Sequence, residues 1–243
     1  MLRLCLPALA LVPAVFAQIP DLPAHETLSY NVEWRLITAG KATLDWRRNA
    51  GGAAIDVRLE SVGLVSKLFR VDDSYQSQVG PGLCTQSSEF LSHEGSRERE
   101  TRINYDGAAR KAFYVERDRL RNTVLLQKEI EIPSCVHDVA GGLYFLRTVR
   151  LEPGQSTTIP VSDGKKFAMA KVEAQQREDI RTPEGVFHTI RYEAYLFNNV
   201  LFQRPAHLYI WFTDDRLRLP VQIRVRMQIT IGTITLQLEK HVE

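Results

Sequence analysis

The chain has 243 residues, of which 44% are hydrophobic and 25% charged, with a formal net charge of +2. This is the composition of an ordinary globular protein, long enough to bury a sizeable core. The net charge is too small to indicate a nucleic-acid or anionic-membrane partner.

The first residues have the pattern of a secretory signal peptide. Arg3 supplies a positive start, Leu4 to Val12 form a short apolar run, and Val15 and Ala17 occupy the −3 and −1 positions of a cleavage site. We therefore expect a signal peptide at residues 1–17, a single domain at 18–243 and export to the periplasm. The apolar run is shorter than the roughly 20 residues of a membrane span, so no transmembrane segment is expected in the mature chain.

Cleavage would remove Cys5 and leave Cys84 and Cys135. Two thiols in an oxidising compartment favour a disulfide, which here would close a loop of about 50 residues. A pair of buried free cysteines is the alternative.

The dominant pattern along the chain is an alternation of apolar and polar residues, which predicts half-buried strands. It begins in "TLSYNVEWRL" and "KATLDW" and continues through "AIDVRLESV", "SYQSQV", "ETRINYD" and "KAFYVER". After residue 155 it resumes in "STTIPV", "KKFAMAKVEAQ", "HTIRYEAYLF", "AHLYIWF", "VQIRVRMQITI" and "TITLQLE". Glycine, Asn and Asp between these segments predict turns, as in "GGA" at Gly51 and "YDGAAR" around Gly107.

One segment, "SCVHDVAGGLYFLRTVR", has apolar residues at helical spacing instead. We expect a helix around residues 134–149, with Pro133 before it and Ser134 as its N-cap. Gly141 and Gly142 weaken a helix, but they would let it lie close to a sheet. The fold class is therefore mainly β: a large curved antiparallel sheet, either an open barrel or a sandwich, with this helix packed on or inside it.

Several segments together resemble the family catalogued as domain of unknown function 3108. They are "ETLSYNVEW" with "AGKATL", "HDVAGGLYFLR", "PVSDGKKFAM", "TPEGVFHTIRYEA" and "IWFTDDRLRLPVQIRVRMQITIGTITLQLE". The resemblance implies an exported, β-rich protein of Gram-negative-type bacteria. That family has no assigned reaction, so the resemblance implies no catalytic residues.

Two adjacent carboxylates, Asp214 and Asp215 in "WFTDDRLRLP", are the first candidate for chemistry. Side chains alternate along a strand, and calcium needs six to eight oxygens, so a metal site is not expected. Thr and Asp favour turns and Pro220 can begin a strand, so a hairpin turn is the stronger interpretation.

A second candidate is His137 with Asp138, because a carboxylate can orient an imidazole. The simpler interpretation is an acidic residue in the first turn of the helix beside an exposed histidine. "SDGKK" at 162–166 lacks the spacing of a phosphate loop and predicts a turn. No metal-ligand or nucleophile motif occurs, so neither cofactor nor metal is expected.

The aromatic residues at inward positions are candidates for lining a ligand cavity, although core packing is the simpler role. They are Tyr30, Trp34, Trp46, Tyr144, Tyr209 and Trp211.

Three functional hypotheses follow. The first is a non-enzymatic envelope protein that binds a lipid or glycan in the concave face of the sheet. The second is an envelope hydrolase that uses Asp214, Asp215, His137 or Asp138. The third is a structural partner of another envelope protein, which would lack a ligand-sized pocket.

Overall fold

A computed structural model describes residues 22–35, 37–228 and 232–243, so the expected signal peptide at 1–17 lies outside the described residues. The alternating segments form strands β1 to β14, and two helices interrupt them. The strands are β1 His25–Trp34, β2 Ile37–Asn49, β3 Gly52–Ser61, β4 Asp72–Val79, β5 Thr85–Glu94, β6 Arg97–Asp106, β7 Lys111–Asp118, β8 Thr123–Glu131, β9 Ser156–Ser162, β10 Phe167–Thr182, β11 Gly185–Ala194, β12 Ala206–Thr213, β13 Pro220–Met227 and β14 Thr233–Val242. The helices are α1 Gly63–Leu68 and α2 Val139–Thr148. Neither helix has the length and apolarity that crossing a bilayer requires.

All 14 strands belong to one antiparallel sheet, which confirms the predicted fold class. The order across the sheet is β8-β7-β6-β5-β4-β3-β2-β1-β14-β13-β12-β11-β10-β9, so the first and last strands of the chain meet in its middle. The outermost strands, β8 and β9, do not pair with each other. The sheet is therefore an open barrel.

A short segment, residues 134–138, spans the gap between the two halves of the sheet. The amide of His137 donates to Pro160 O, and its carbonyl accepts from the amide of Ser162 on β9. On the other side, the amide of Thr85 on β5 donates to Val136 O. We call this contact between residues 134–138 and β9 the seam.

The concave face of the sheet holds the core, as the alternation predicted. In β1, Leu28, Tyr30 and Val32 are buried while their neighbours are half-buried, and β2 repeats this with Ala42, Leu44 and Trp46. Trp34 breaks the pattern at the end of β1, where it is 37% exposed. The end of this strand extends past the core, so alternation no longer determines burial there.

Helix α2 lies inside the curve of the sheet, but it begins later than predicted. Ser134 and Cys135 form a bend, His137 pairs with Val161 of β9, and the N-cap is Asp138 rather than Ser134. The prediction of Ser134 was wrong because the backbone hydrogen bonds of Val136 and His137 hold the chain along the sheet, which local sequence does not reveal. Helix α1 was not predicted at all; it is six residues long and has no buried side chain.

The glycines of α2 allow the close approach to the sheet that the sequence predicted. A Cβ atom on Gly141 would lie 3.0 Å from Thr85 Oγ1 and 3.3 Å from Val79 Cγ1. Few side-chain contacts are shorter than this, so the first turn of α2 packs against β4 and β5 without room for a methyl group.

Arg147, near the end of α2, forms a buried ion pair with Glu26 of β1. Both guanidinium ends donate to the carboxylate, with Nη2 at 2.8 Å from Oε1 and Nη1 bonded to Oε2. Nη2 also donates to Leu217 O at 3.1 Å. Both side chains are almost completely buried, so neither charge can exchange this partner for water.

Cys84 and Cys135 form a disulfide, with their Cα atoms 5.0 Å apart. The bond ties the start of β5 to the segment that leads into α2. It thereby fixes residues 134–138 to the sheet.

Replacing both cysteines with serine should lower the free energy of unfolding by roughly 4 kcal/mol, because the bond closes a loop of about 50 residues in the unfolded chain. Guanidinium denaturation measures this. A reductant should lower the wild-type midpoint and leave that of C84S/C135S unchanged. An unchanged wild-type midpoint after complete reduction would contradict the expectation.

Removing only Arg147, as R147M, should destabilise the protein by about 3–5 kcal/mol, because Glu26 remains as an unpaired buried carboxylate. Urea denaturation should show that the double variant E26L/R147M recovers most of this loss. The control is K41M, which breaks the half-exposed pair of Lys41 with Glu239 and should cost only about 0–1 kcal/mol. Equal losses in R147M and K41M would show that burial of the pair has no energetic consequence.

Candidate functional site

A cavity of about 770 Å³ lies between helix α2 and the concave face of the sheet. Its walls come from strands β2 to β7 on one side and from β9 and β11 to β13 on the other, which is possible only because the sheet curves. Most of the lining is aliphatic or aromatic; representative residues are Val57, Phe90, Leu143, Ile159, Ile210 and Val225. A volume and lining of this kind are those of a site for a small apolar ligand.

Leu143 and Val225 show why this space is a cavity and not a filled core. Both contact core clusters, yet both are only partly buried although they lie on the inner face. Side chains here stop short of one another, whereas on the far side of α2 the ring of Tyr144 stacks on Trp46 at 4.6 Å.

Five polar residues gather on one side of the cavity, and we call them the polar mouth: Arg99, Tyr114, Glu116, Asp163 and Lys165. Arg99 Nη1 lies 2.5 Å from Glu116 Oε1, and the Tyr114 hydroxyl donates to Glu116 Oε2 at 2.9 Å. Lys165 Nζ lies 5.5 Å from the centre of the Tyr114 ring. Lys165 is exposed and Arg99 half-exposed, so this side of the cavity meets solvent.

At the polar mouth the negative charge of Glu116 lies among the positive charges of Arg99 and Lys165. Burial acts to raise the pKa of Glu116, but the hydrogen bonds from Arg99 and Tyr114, with the charges of Arg99 and Lys165, hold that pKa below its ordinary value. Glu116 is therefore ionised at neutral pH and fixes Arg99 beside the opening.

Asp138 lies at the opposite, buried side of the cavity, where it has a structural role. Its carboxylate accepts from Tyr75 Oη at 2.7 Å, from Ser77 Oγ at 2.5 Å and from the Gly141 amide at 2.6 Å. Its own amide donates to Thr85 Oγ1 at 2.9 Å. Burial raises the pKa of Asp138, and the hydrogen bonds oppose that increase. Asp138 therefore caps the helix, the role that the sequence analysis assigned to Ser134.

His137 is buried, so the expectation of an exposed histidine was wrong. Its Nδ1–H donates to Leu83 O at 2.8 Å, and its ring stacks on Phe145 at 4.4 Å. Burial lowers the pKa of His137, while the Leu83 carbonyl and the Asp138 charge act in the other direction. The extended backbone at the seam turns this side chain inward.

Asp214 and Asp215 lie on the connection between β12 and β13, as the hairpin interpretation predicted. Asp215 Oδ1 accepts from Thr213 Oγ1 at 2.7 Å and from the amides of Leu217 and Arg218 at 3.0 Å, which are turn-forming bonds. Asp214 pairs with Arg177 at 2.7 Å on the surface. No hydrogen bond within the described ranges joins either residue to His137 or Asp138.

The six aromatic candidates do not lie among the residues that line the cavity. Tyr30 is fully buried and donates to Pro220 O at 2.8 Å, and Trp211 Nε1 donates to Glu178 Oε1 at 2.9 Å. Trp46 and Tyr144 stack on each other, Tyr209 packs between His207 and Trp211, and Trp34 is partly exposed. The rings of these six residues pack against other neighbours. The lining was missed because its aliphatic residues and its own rings, such as Phe90 and Tyr114, alternate as in any core strand.

One group in the described part of the chain has the spacing of a metal site: Glu26, His241 and Glu243 offer ligand atoms within 4.8 Å of one another. The oxygens of Glu26 already accept from Arg147. The guanidinium thus occupies the place in which a cation would bind this carboxylate.

A family model described as "Protein of unknown function (DUF3108)" matches residues 29–239. No curated protein matches the chain. Among solved structures, a β-barrel-like protein of domain of unknown function DUF1849 from Brucella abortus is similar at a TM-score of 0.57 and 7% identity, over 90% of this chain and 97% of that one. This likeness concerns the fold alone.

Two further structures have TM-scores below 0.5 and support no conclusion about this chain. One is a protein classed as exported, with a YmcC-like fold, from Bacteroides fragilis, at a TM-score of 0.35 and 10% identity over 92% of this chain and 98% of that one. The other is a DUF1089 family protein from Pseudomonas aeruginosa, at 0.37 and 12% identity over 77% of this chain and 90% of that one.

His137 should make the folded state less stable as the pH falls below about 6.5. Both states have a neutral imidazole above that pH; below it, the unfolded chain binds a proton that the buried ring takes up only at a lower pH. In H137N an amide can still donate to Leu83 O but does not titrate. Denaturation at pH 7.5 and pH 5 should therefore show that the stability advantage of wild type over H137N shrinks at the lower pH. A constant difference between the two proteins would contradict this account.

Proposed function

The chain belongs to the DUF3108 family, and we propose that this protein is an exported envelope protein that binds a lipid in the cavity between α2 and the sheet. The observation that carries the proposal is the cavity itself, a space of about 770 Å³ with a mostly apolar lining. A glycan needs many convergent hydrogen-bond groups, and the inner wall offers few. The lining thus favours a lipid over a glycan.

The two sides of the cavity suit the two parts of an amphiphile. Its apolar chain would lie against Leu143, Ile159 and Val225, because each CH₂ group removed from water contributes about 0.8 kcal/mol. Its polar headgroup would lie at the polar mouth, where Lys165 and Arg99 are available to an anion. The hypothesis of a purely structural partner loses support, since it required a protein without a ligand-sized pocket.

Two features support export. The first 17 residues have the pattern of a signal peptide. Independently, Cys84 and Cys135 form a disulfide, a bond that persists in oxidising compartments such as the periplasm.

Filling part of the cavity should weaken lipid binding. In V225F a phenyl ring replaces a partly buried side chain that lines the cavity, and affinity for cis-parinaric acid should fall by at least about tenfold. The matched control is V186F, in which the same change is made at an exposed position of β11 that does not line the cavity. Fluorescence titration measures both affinities.

Native mass spectrometry of protein purified from the periplasm provides a second measurement. We expect a co-purified lipid mass on wild type and V186F that is absent from V225F. Binding of maltotriose instead of cis-parinaric acid would favour the glycan hypothesis. A clean apo mass together with no binding of cis-parinaric acid would overturn the proposal.

A further inference from the structure

Four connections at one end of the sheet form a continuous surface. They are Arg35 and residues 62–71, 95–96 and 119–122, which lie between the paired strands β1–β2, β3–β4, β5–β6 and β7–β8. In an antiparallel sheet, alternate connections lie at the same end. We call this surface the hairpin rim.

Backbone hydrogen bonds join parts of the hairpin rim to one another and to the adjoining strands. The amide of Val62 donates to Ala39 O at 2.9 Å beside the first connection, and the amide of Gly95 donates to Arg70 O at 2.8 Å. Farther along, the amide of Arg119 donates to Glu98 O at 3.0 Å. The four connections are therefore fixed relative to one another.

The hairpin rim exposes large apolar side chains. Helix α1 buries none of its residues, so its apolar side chains face solvent instead of a core. The most exposed are Leu64 at 67%, Leu68 at 78%, Phe69 at 52% and Leu120 at 63%. Apolar side chains clustered in this way mark a contact surface for a protein or a membrane.

Charge distinguishes between these two partners. The four connections contain five basic residues and no acidic residue; the basic residues are Arg35, Lys67, Arg70, Arg119 and Arg121. Acidic residues begin in the adjoining strands, where Asp72 lies 3.5 Å from Arg70. Protruding apolar side chains surrounded by cations are suited to the interface of a bilayer with anionic headgroups.

We propose that the hairpin rim docks this protein onto a bilayer surface that contains anionic phospholipid. Leu64, Leu68, Phe69 and Leu120 enter the headgroup region, and the basic residues contact phosphates. The net charge of +2 did not indicate such a partner because it averages over the whole chain and does not report a local group of five basic residues. This inference is independent of the cavity, since these four apolar residues do not line it.

The test is flotation with vesicles of phosphatidylcholine alone and of phosphatidylcholine with phosphatidylglycerol. Wild type should float with the anionic vesicles and dissociate from them in 0.5 M salt, because salt screens exposed charges. In L68S/F69S the vesicle affinity should fall by at least about tenfold, and in K67E/R121E by about fivefold or more for each reversed charge. These side chains are exposed, so denaturation curves should match wild type.

The control is M169S/V186S, which removes two similarly exposed apolar side chains, 55% and 57% exposed, outside the hairpin rim. It should float like wild type, as should V225F, which separates docking from filling of the cavity. Absence of wild-type flotation, equal binding to both vesicle types, or full binding by L68S/F69S would overturn the proposal. Dimerisation in light scattering that L68S/F69S abolishes, without vesicle binding, would identify a second copy as the occupant instead.

Discussion

Helix α2 is held inside the sheet by buried charged groups at both of its ends. Asp138 at the start accepts hydrogen bonds from Tyr75, Ser77 and the Gly141 amide, and Arg147 near the end is paired with Glu26. Neither end can separate from the sheet without leaving a charge unsatisfied in an apolar interior, which costs several kcal/mol. The helix therefore cannot move inward to fill the space in front of Leu143 and Leu146, and the cavity remains open.

The two ends of the sheet differ in a way that fits the two proposals. At one end, Trp46, Tyr144 and Leu83 are buried and the disulfide fixes residues 134–138, so the interior is closed. At the other end the connections carry exposed Leu and Phe side chains among basic residues. The residue pair Ser92 and Arg99, close to that end, belongs to the lining of the cavity. A protein that docks through the hairpin rim would thus hold its lipid site near the membrane.

Much of the fold could be predicted because strand alternation reports directly which side chains face a core. Leu28, Tyr30 and Val32 are buried as their spacing indicated, and "TDDRLR" forms a turn because Asp215 satisfies the local amides. The start of α2 could not be predicted, since long-range hydrogen bonds hold Val136 and His137 along the sheet. The sequence suggested a cavity but not its lining, because whether inward side chains meet depends on the curvature of the sheet and the position of α2. Trp46 meets Tyr144, whereas Val225 faces empty space.

The seam is held by fewer hydrogen bonds than any pair of neighbouring strands in the sheet. Elsewhere each strand is held to its neighbour by a ladder of at least five registered pairs, as between β13 and β14. At the seam, by contrast, His137 makes two backbone bonds to β9, and Tyr105 adds one long bond of 3.4 Å to Ser162 O. Widening the cavity at the seam breaks few hydrogen bonds and leaves every strand ladder intact. A ligand of the proposed cavity site can thus vary in thickness while the paired strands of the sheet stay together.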